Sequence, residues 1–445
     1  MGENMAQKLI IFSDCCWIRP QYRSKNRRVP GNISLAHHCL APKDDLDVPQ
    51  IPYFREPPQK LFSAAGLMRR YFGLGLQAEV FDIYRFLSIT YQQGDEIYLL
   101  GSGLGAYNLR RLADMIDRVG LLEPDDLHML PEIFEYYQIP VDALSTPAAM
   151  EMKEKFNGRP VRIRFLGCWD TVGSHGLPLP LFQQISQSWM MLHDHDVNAN
   201  VDAAFQALAL DERRKLFQPA LWTGAHSSRL EKIEQVWFAG SHENIVGGRR
   251  DSGLSDIALI WLLNRAQEHG LSFDPEKLAE ISAPDIAGSI ARKRRFIYGK
   301  PISIGRPYNR PVDRTKGEKL HESVLQKQQA EGKYLPPQLA SLRPGDIPVF
   351  KELNEPIANK RRHLRRKVDW PAFLINGDVK LNASLVDYSK SGAKVWLHGQ
   401  IPVGTSIILQ SSRSFMEGLK SKVIWSQDNF IGLEFAAPLV ANNAV

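Results

Sequence analysis

The chain has 445 residues, 44% of them hydrophobic and 23% charged, which excludes a disordered or fibrous protein and exceeds what one hydrophobic core usually fills. Its first apolar run, Leu9-Ile10-Ile11-Phe12, is too short for a signal peptide or a bilayer span, so a cytoplasmic protein with no membrane span is expected. The net charge of +6 says little about partners until it is localised. Four cysteines, Cys15, Cys16, Cys39 and Cys168, have neither metal-ligand nor disulfide spacing, which predicts reduced thiols, no metal and no cofactor.

In chain order, Leu9 to Ser13, Glu96 to Leu100, Val161 to Gly167 and Glu234 to Ala239 read as strands, and Ala78 to Tyr91, Gly105 to Val119 and Ser255 to His269 as helices. Strands spaced by helices predict an α/β fold with a mostly parallel sheet covered on both faces, its functional groups in loops at the strands' carboxyl ends. A stretch rich in Pro and polar residues, Tyr334 to Pro356, then separates a segment of different texture. Beyond Val368, short β-like runs at Val379 to Tyr388, Ala393 to Leu397, Ser406 to Leu409, Lys420 to Trp425 and Phe430 to Phe435 predict a small all-β barrel. The expected domains are residues 1–345 and 361–445, joined by a linker at 346–360.

The run Ile97-Tyr98-Leu99-Leu100-Gly101-Ser102-Gly103-Leu104-Gly105 reads as strand, sharp turn and helix, the setting of a nucleophile elbow. In G-x-S-x-G the third residue carries the nucleophile on a strained backbone, and here Gly103 puts no side chain there. Ser102, one residue earlier, is the alternative nucleophile, but a shift of one residue along such a turn redirects the side chain by a large angle. An acyl-transfer hydrolase further needs a histidine, an orienting acid and backbone donors for the oxyanion. Asp170 and His242 each follow a strand, in the order elbow, Asp, His that α/β-hydrolases use. Taken singly, an Asp in such a turn is more often a cap and a lone His more often a structural hydrogen-bonder.

The segments Tyr84 to Leu87, Gly94 to Gly101, Gly105-Ala106-Tyr107, Phe165 to Gly173, Trp237 to His242 and His321 to Val324 resemble those of the type VI secretion phospholipase-like α/β-hydrolase family. The resemblance implies that Gly103, Asp170 and His242 stand at the triad positions. Family members carry G-F-S-R-G-A at the elbow, so Gly103 replaces the nucleophile and Leu104 the arginine. The family's D-G-T oxyanion loop is Asp14-Cys15-Cys16 here, and its H-S-D-V-G-G is one residue longer at His242 to Gly248. With two active-site elements altered, a catalytically inactive hydrolase-like domain is expected, because loss of the nucleophile alone removes most of a triad's rate enhancement.

The basic charge concentrates in Lys360-Arg361-Arg362-His363-Leu364-Arg365-Arg366-Lys367, with six Lys or Arg in eight residues. Alone, such a run is usually a solvated face. It is followed, 22 residues after Arg365, by Asp387-Tyr388-Ser389-Lys390-Ser391-Gly392. An Arg-x-x-x-Arg run paired with D-x-S-x-x-G resembles the PilZ family over about Lys360 to Phe435, with Arg361 and Arg365 fitting the first part and Asp387, Ser389 and Gly392 the second. That resemblance implies cyclic di-GMP as the ligand, with Arg362 and Arg366 as further candidates. The chemistry is consistent. Guanidinium groups bind phosphate and the O6/N7 edge of guanine in bidentate fashion, a carboxylate accepts from guanine N1 and N2, and glycine allows close backbone approach.

The expected function is a cyclic di-GMP receptor whose hydrolase-like domain binds a protein partner. A cyclic di-GMP-regulated lipase or esterase is the alternative, acting through Ser102 or another group with Asp170 and His242. A nucleic-acid-binding protein is disfavoured, and no DNA partner is expected, because no reading motif or aromatic interleaving accompanies the charge.

Overall fold

The computed structural model describes residues 6–15, 23–24, 27–55, 74–173, 197–223, 232–290, 296–297, 300–301, 308–313, 317–340, 347–351, 366–377, 379–389, 391–399, 401–411, 418–427, 429–437 and 439. Eight strands build one sheet: β1 (Lys8–Cys15), β2 (Gln50–Arg55), β3 (Glu96–Gly103), β4 (Ile163–Trp169), β5 (Ala203–Ala209), β6 (Lys232–Phe238), β7 (Glu318–His321) and β8 (Val349–Phe350). Their spatial order is β2-β1-β3-β4-β5-β6-β7-β8, and every ladder between them is parallel. Such a sheet is buried on both faces, so its strands read as near-continuous apolar runs. β8 falls inside the stretch read as linker, where it adds a two-residue strand at the sheet's edge.

Alternate residues of each strand feed two separate cores, because successive side chains point to opposite faces. Leu9, Ile11, Ile97 and Leu99 pack with Val80, Ile83 and Leu87 of α2 (Leu74–Thr90) and with Leu109, Leu112 and Ile116 of α3 (Leu104–Val119). Ile10, Phe12, Tyr98 and Leu100 meet Ile33 and Ala36 of α1 (Asn32–Cys39) on the other face. Leu259 and Leu262 of α5 (Gly253–Glu268) complete that second core. Burying each such aliphatic side chain contributes about 1.5–3 kcal/mol, which fixes strand register and so the positions of the carboxyl-end loops.

Strand order reverses at β1, which has β2 on one side and β3 on the other. Open α/β sheets bind ligands in the crevice beyond the carboxyl ends at such a point. Here the pairing sets Asp14 beside Ser102 and Cys15 beside Gly103. Cys39 and Cys168 are buried free thiols, and burial pushes both up to about 11.

The last part of the chain is a closed antiparallel barrel of six strands: β9 (Arg366–Asn376), β10 (Val379–Ser389), β11 (Gly392–Leu397), β12 (Ser406–Ser411), β13 (Leu419–Gln427) and β14 (Phe430–Phe435), in the order β9-β10-β11-β14-β13-β12. Closure removes the unpaired edges an open sheet would expose. Leu374, Leu385, Val395, Leu409, Val423, Ile431 and Leu433 fill the interior. Gly392 is held there by sterics, since a Cβ on it would lie 2.2 Å from the Leu433 carbonyl oxygen. Gly392→Ala is therefore expected to lower barrel stability by about 1–3 kcal/mol, measured as a shift in the urea unfolding midpoint.

Candidate functional site

The candidate residues fall in two places, one at the sheet's carboxyl end and one on the barrel. At the first, β3 ends in Gly103 with φ 53° and ψ −116°, a left-handed conformation that L side chains rarely adopt. The turn is compact because its neighbours lack side chains. A Cβ on Gly101 would lie 2.6 Å from the Ala106 backbone, and one on Gly105 would lie 2.3 Å from the Ser13 carbonyl oxygen. The elbow's backbone is thus in place, with α3 beginning immediately after it at Leu104.

On the neighbouring strand, β4 delivers Asp170 with φ 47° and full burial. His242 opens the five-residue helix α4 (His242–Val246), whose start is fixed by a capping box between Ser241 and Asn244. His242 Nδ1 lies 2.5 Å from Asp170 Oδ2. The opposite edge of the ring faces the elbow: a Cβ built on Gly103 would lie 3.3 Å from His242 Nε2 and 3.3 Å from Cε1. Phe217 packs edge-on against the imidazole at 5.0 Å between centroids, and the Glu212 carboxylate accepts from the His242 backbone N–H at 3.2 Å. The extra residue after His242 therefore does not remove this histidine from the elbow.

Asp170 has a further partner that the sequence did not single out. Arg310 is fully buried and grips the carboxylate with both arms, Nη1 to Oδ1 at 2.6 Å and Nη2 to Oδ2 at 3.0 Å. The same guanidinium donates to the carbonyl oxygens of Ala209 and Phe217, and the Ala209 N–H donates to Asp170 at 3.0 Å. Burial alone would raise the Asp170 carboxyl, but the Arg310 charge and the His242 hydrogen bond outweigh it and hold the group well below the usual carboxylate range. Arg310 lies in an irregular segment 140 residues from Asp170, and nothing in its local pattern, Tyr308-Asn309-Arg310-Pro311, marks it.

Ser102 points elsewhere. Its Oγ donates to Asp14 Oδ1 at 2.8 Å, it is 2% exposed, and it joins β3 to β1. Of the oxyanion loop, Asp14 and the backbone of Cys15 belong to β1, while Cys16 lies outside the described residues. Beside this end of the sheet a cavity of about 400 Å³ is lined by Val29, Asn32, Leu35, Arg249, Arg250 and Ser252, among others. Among the described residues, no group of three side chains is arranged to hold a metal ion, and no helix is long and apolar enough to cross a membrane.

On the barrel, Arg361, Arg362 and Arg365 lie outside the described residues. The basic run enters β9 at Arg366, and the antiparallel register sets Arg366 opposite Tyr388 and Lys367 opposite Asp387. Both ladders of β10 shift register near the motif, one between Lys367 and Trp370 and one between Leu385 and Asp387. Such a bulge re-aims side chains: Leu385 and Tyr388 are buried in the barrel, whereas Asp387 is half-buried. Ser389 closes the β10–β11 turn, its Oγ accepting from the Ser391 N–H and donating to the Gly392 carbonyl, both at 3.4 Å. Ser389 and Gly392 thus shape the loop that carries the motif.

A strand, elbow and helix at the switch point of a parallel sheet, with a histidine and an acid facing the elbow, define an α/β-hydrolase-like protein. The family model described as "T6SS, Phospholipase effector Tle1-like, catalytic domain" matches residues 7–265, more than half of the chain, and the chain belongs to that family. The PilZ domain model matches residues 359–443. An uncharacterized protein of Saccharomyces cerevisiae is 31% identical over 166 residues, which cover 35% of this chain and 23% of that protein. Two solved structures are similar. One is the Tle1 effector bound to the VgrG spike from the type 6 secretion system, at 16% identity over 55% of this chain and 52% of that one, with a TM-score of 0.33. The other is an uncharacterized protein from Pseudomonas aeruginosa, at 15% identity over 61% and 47%, with a TM-score of 0.35. The chain therefore spans about a quarter of the yeast relative and about half of each solved chain.

Proposed function

We propose that this protein is a cyclic di-GMP receptor in which a catalytically silent hydrolase-like domain, residues 1–345, serves as the platform for a protein partner, with the sensor at residues 361–445. The PilZ match over residues 359–443 carries the first half of this reading. The register of β9 and β10 supports it, since it draws the end of the basic run against Asp387. A basic run leading into a strand that pairs with a carboxylate suits a ligand with phosphates and guanine bases, because the guanidinium fork matches phosphate and the carboxylate accepts guanine N–H donors.

The second half rests on Gly103. A glycine facing His242 offers no atom to attack a carbonyl, and Ser102 is engaged with Asp14 on the far side of the turn. The lipase alternative needs a nucleophile within hydrogen-bond reach of the imidazole, and Ser102 does not meet that need. The expected result is no hydrolysis of phospholipid vesicles or p-nitrophenyl esters, with or without cyclic di-GMP. Turnover abolished by His242→Ala would overturn the silent-domain reading. The arginines precede the barrel directly in sequence, so ligand binding is expected to engage the segment around 352–365 and to reorient the two domains. Limited proteolysis checks this: protection of that segment by cyclic di-GMP is expected, and an unchanged digestion pattern contradicts it.

A further inference from the structure

We propose that the silence of the hydrolase-like domain rests on one residue: the rest of the acid–base machinery is preorganised, and a hydroxyl restored at Gly103 makes the site a covalent esterase. This inference deepens the reading of the domain as inactive.

The elbow has the backbone path and the facing histidine that a nucleophile at position 103 requires. Gly103 keeps a positive φ of 53° at the strand-to-helix turn, the strained geometry on which such a nucleophile sits. A Cβ there would lie 3.3 Å from His242 Nε2 and 3.8 Å from Val172 Cγ2. These contacts are snug but are made to side chains, so a small substituent fits with a shift of a few tenths of an ångström. One bond further out, a hydroxyl falls within hydrogen-bond reach of Nε2.

The histidine is also in working condition. Its Nδ1 lies 2.5 Å from the Asp170 carboxylate, which orients the ring so that Nε2 is the nitrogen facing the vacated position. Arg310 and the Ala209 N–H hold Asp170 in place. The Leu104 N–H, in the first turn of α3, is the backbone donor that the elbow supplies for an oxyanion.

The restored step needs no external oxidant or cofactor. The hydroxyl oxygen introduced at position 103 bonds to the carbonyl carbon of an ester while its proton passes to His242 Nε2. The C–O bond to the alcohol then breaks, and the alcohol leaves with that proton. Water hydrolyses the acyl group by the same route. With a fluorophosphonate the P–O bond forms, P–F breaks, fluoride leaves, and the adduct stays.

The test uses the full chain. Wild type, Gly103→Ser, Gly103→Ala and the double variant Gly103→Ser/His242→Ala are treated with a fluorophosphonate probe and assayed on p-nitrophenyl butyrate. Gly103→Ser is expected to label at position 103, to approach one adduct per chain, and to hydrolyse the ester about 100-fold faster than wild type or more. Gly103→Ala carries the same backbone cost without the oxygen and is expected to stay silent, and the double variant to lose both signals. A folded Gly103→Ser chain that neither labels nor turns over would overturn the inference and place the defect in the altered oxyanion loop, leaving the silent-domain reading intact. A Gly103→Ser chain that fails to fold would overturn it too, since the inference requires that the elbow accept a side chain. Turnover by wild type would instead contradict the silent-domain reading itself.

Discussion

Arg310→Met is expected to destabilise the hydrolase-like domain by about 3–5 kcal/mol, the cost of removing one partner from a buried ion pair. Arg310 and Asp170 are both fully buried and share two hydrogen bonds. Methionine of similar length would leave the carboxylate with the Ala209 N–H and His242, and would leave the carbonyl oxygens of Ala209 and Phe217 without their donor. The pH dependence gives the effect a signature that lost packing would not. Because the folded Asp170 carboxyl is held below its ordinary value, its ionisation contributes stability that is fully present above about pH 4 and lost as pH falls further. The gap between wild type and Arg310→Met should therefore be widest near neutral pH and narrow in acid, as measured by urea unfolding across that range. Adding Asp170→Asn to Arg310→Met should recover part of the loss, because the two sites are coupled and the uncompensated charge is gone. A gap constant with pH would assign the loss to packing alone.

The second large effect concerns the barrel. Asp387→Ala and Arg365→Ala are each expected to weaken cyclic di-GMP binding about 10- to 100-fold, the ordinary worth of one or two charge-assisted hydrogen bonds. Arg365→Lys separates recognition from mere charge. It keeps the cation but lacks the planar fork that grips phosphate or guanine, so it should bind nearly as poorly as Arg365→Ala. If Arg365→Lys binds like wild type, the basic run acts as a diffuse cationic patch. Gly392→Ala should also lose affinity, but through barrel stability, because its Cβ would meet the Leu433 carbonyl.

Much of the hydrolase-like half was legible because its signals are local. The strands at Lys8–Cys15 and Glu96–Gly103 and the helix Leu104–Val119 lie within a few residues of where apolar runs and turn residues put them. Ala203–Ala209 was missed because Ala-Ala-Phe-Gln-Ala-Leu-Ala favours helix by propensity, and it is a strand only because it is buried mid-sheet between β4 and β6. Gln50–Arg55 was hidden by Pro52, which a ladder tolerates here because this strand lies at the sheet's edge. Glu318–His321 and Val349–Phe350 are too short for a pattern to form. At the site, Gly103, Asp170 and His242 could be found by order and spacing. Arg310 could not, since its role depends on a contact spanning 140 residues. The place of Ser102 depends on the pairing of β1 with β3, which no local pattern reveals.

The basic run and the D-x-S-x-x-G motif were legible as a pair, yet the sequence assigned to Ser389 and Gly392 a direct part in binding. Their positions add a structural role. Ser389 ties the β10–β11 turn, and Gly392 lets two barrel strands approach closely.

Calorimetric titration of the full chain with cyclic di-GMP tests most directly the proposed pairing of a guanine-nucleotide sensor with a hydrolase scaffold that lacks its attacking atom. Saturable binding is predicted, weakened at least about tenfold in Asp387→Ala. Folded wild-type protein that takes up no cyclic di-GMP, or that binds it as tightly after Asp387→Ala as before, would contradict the account.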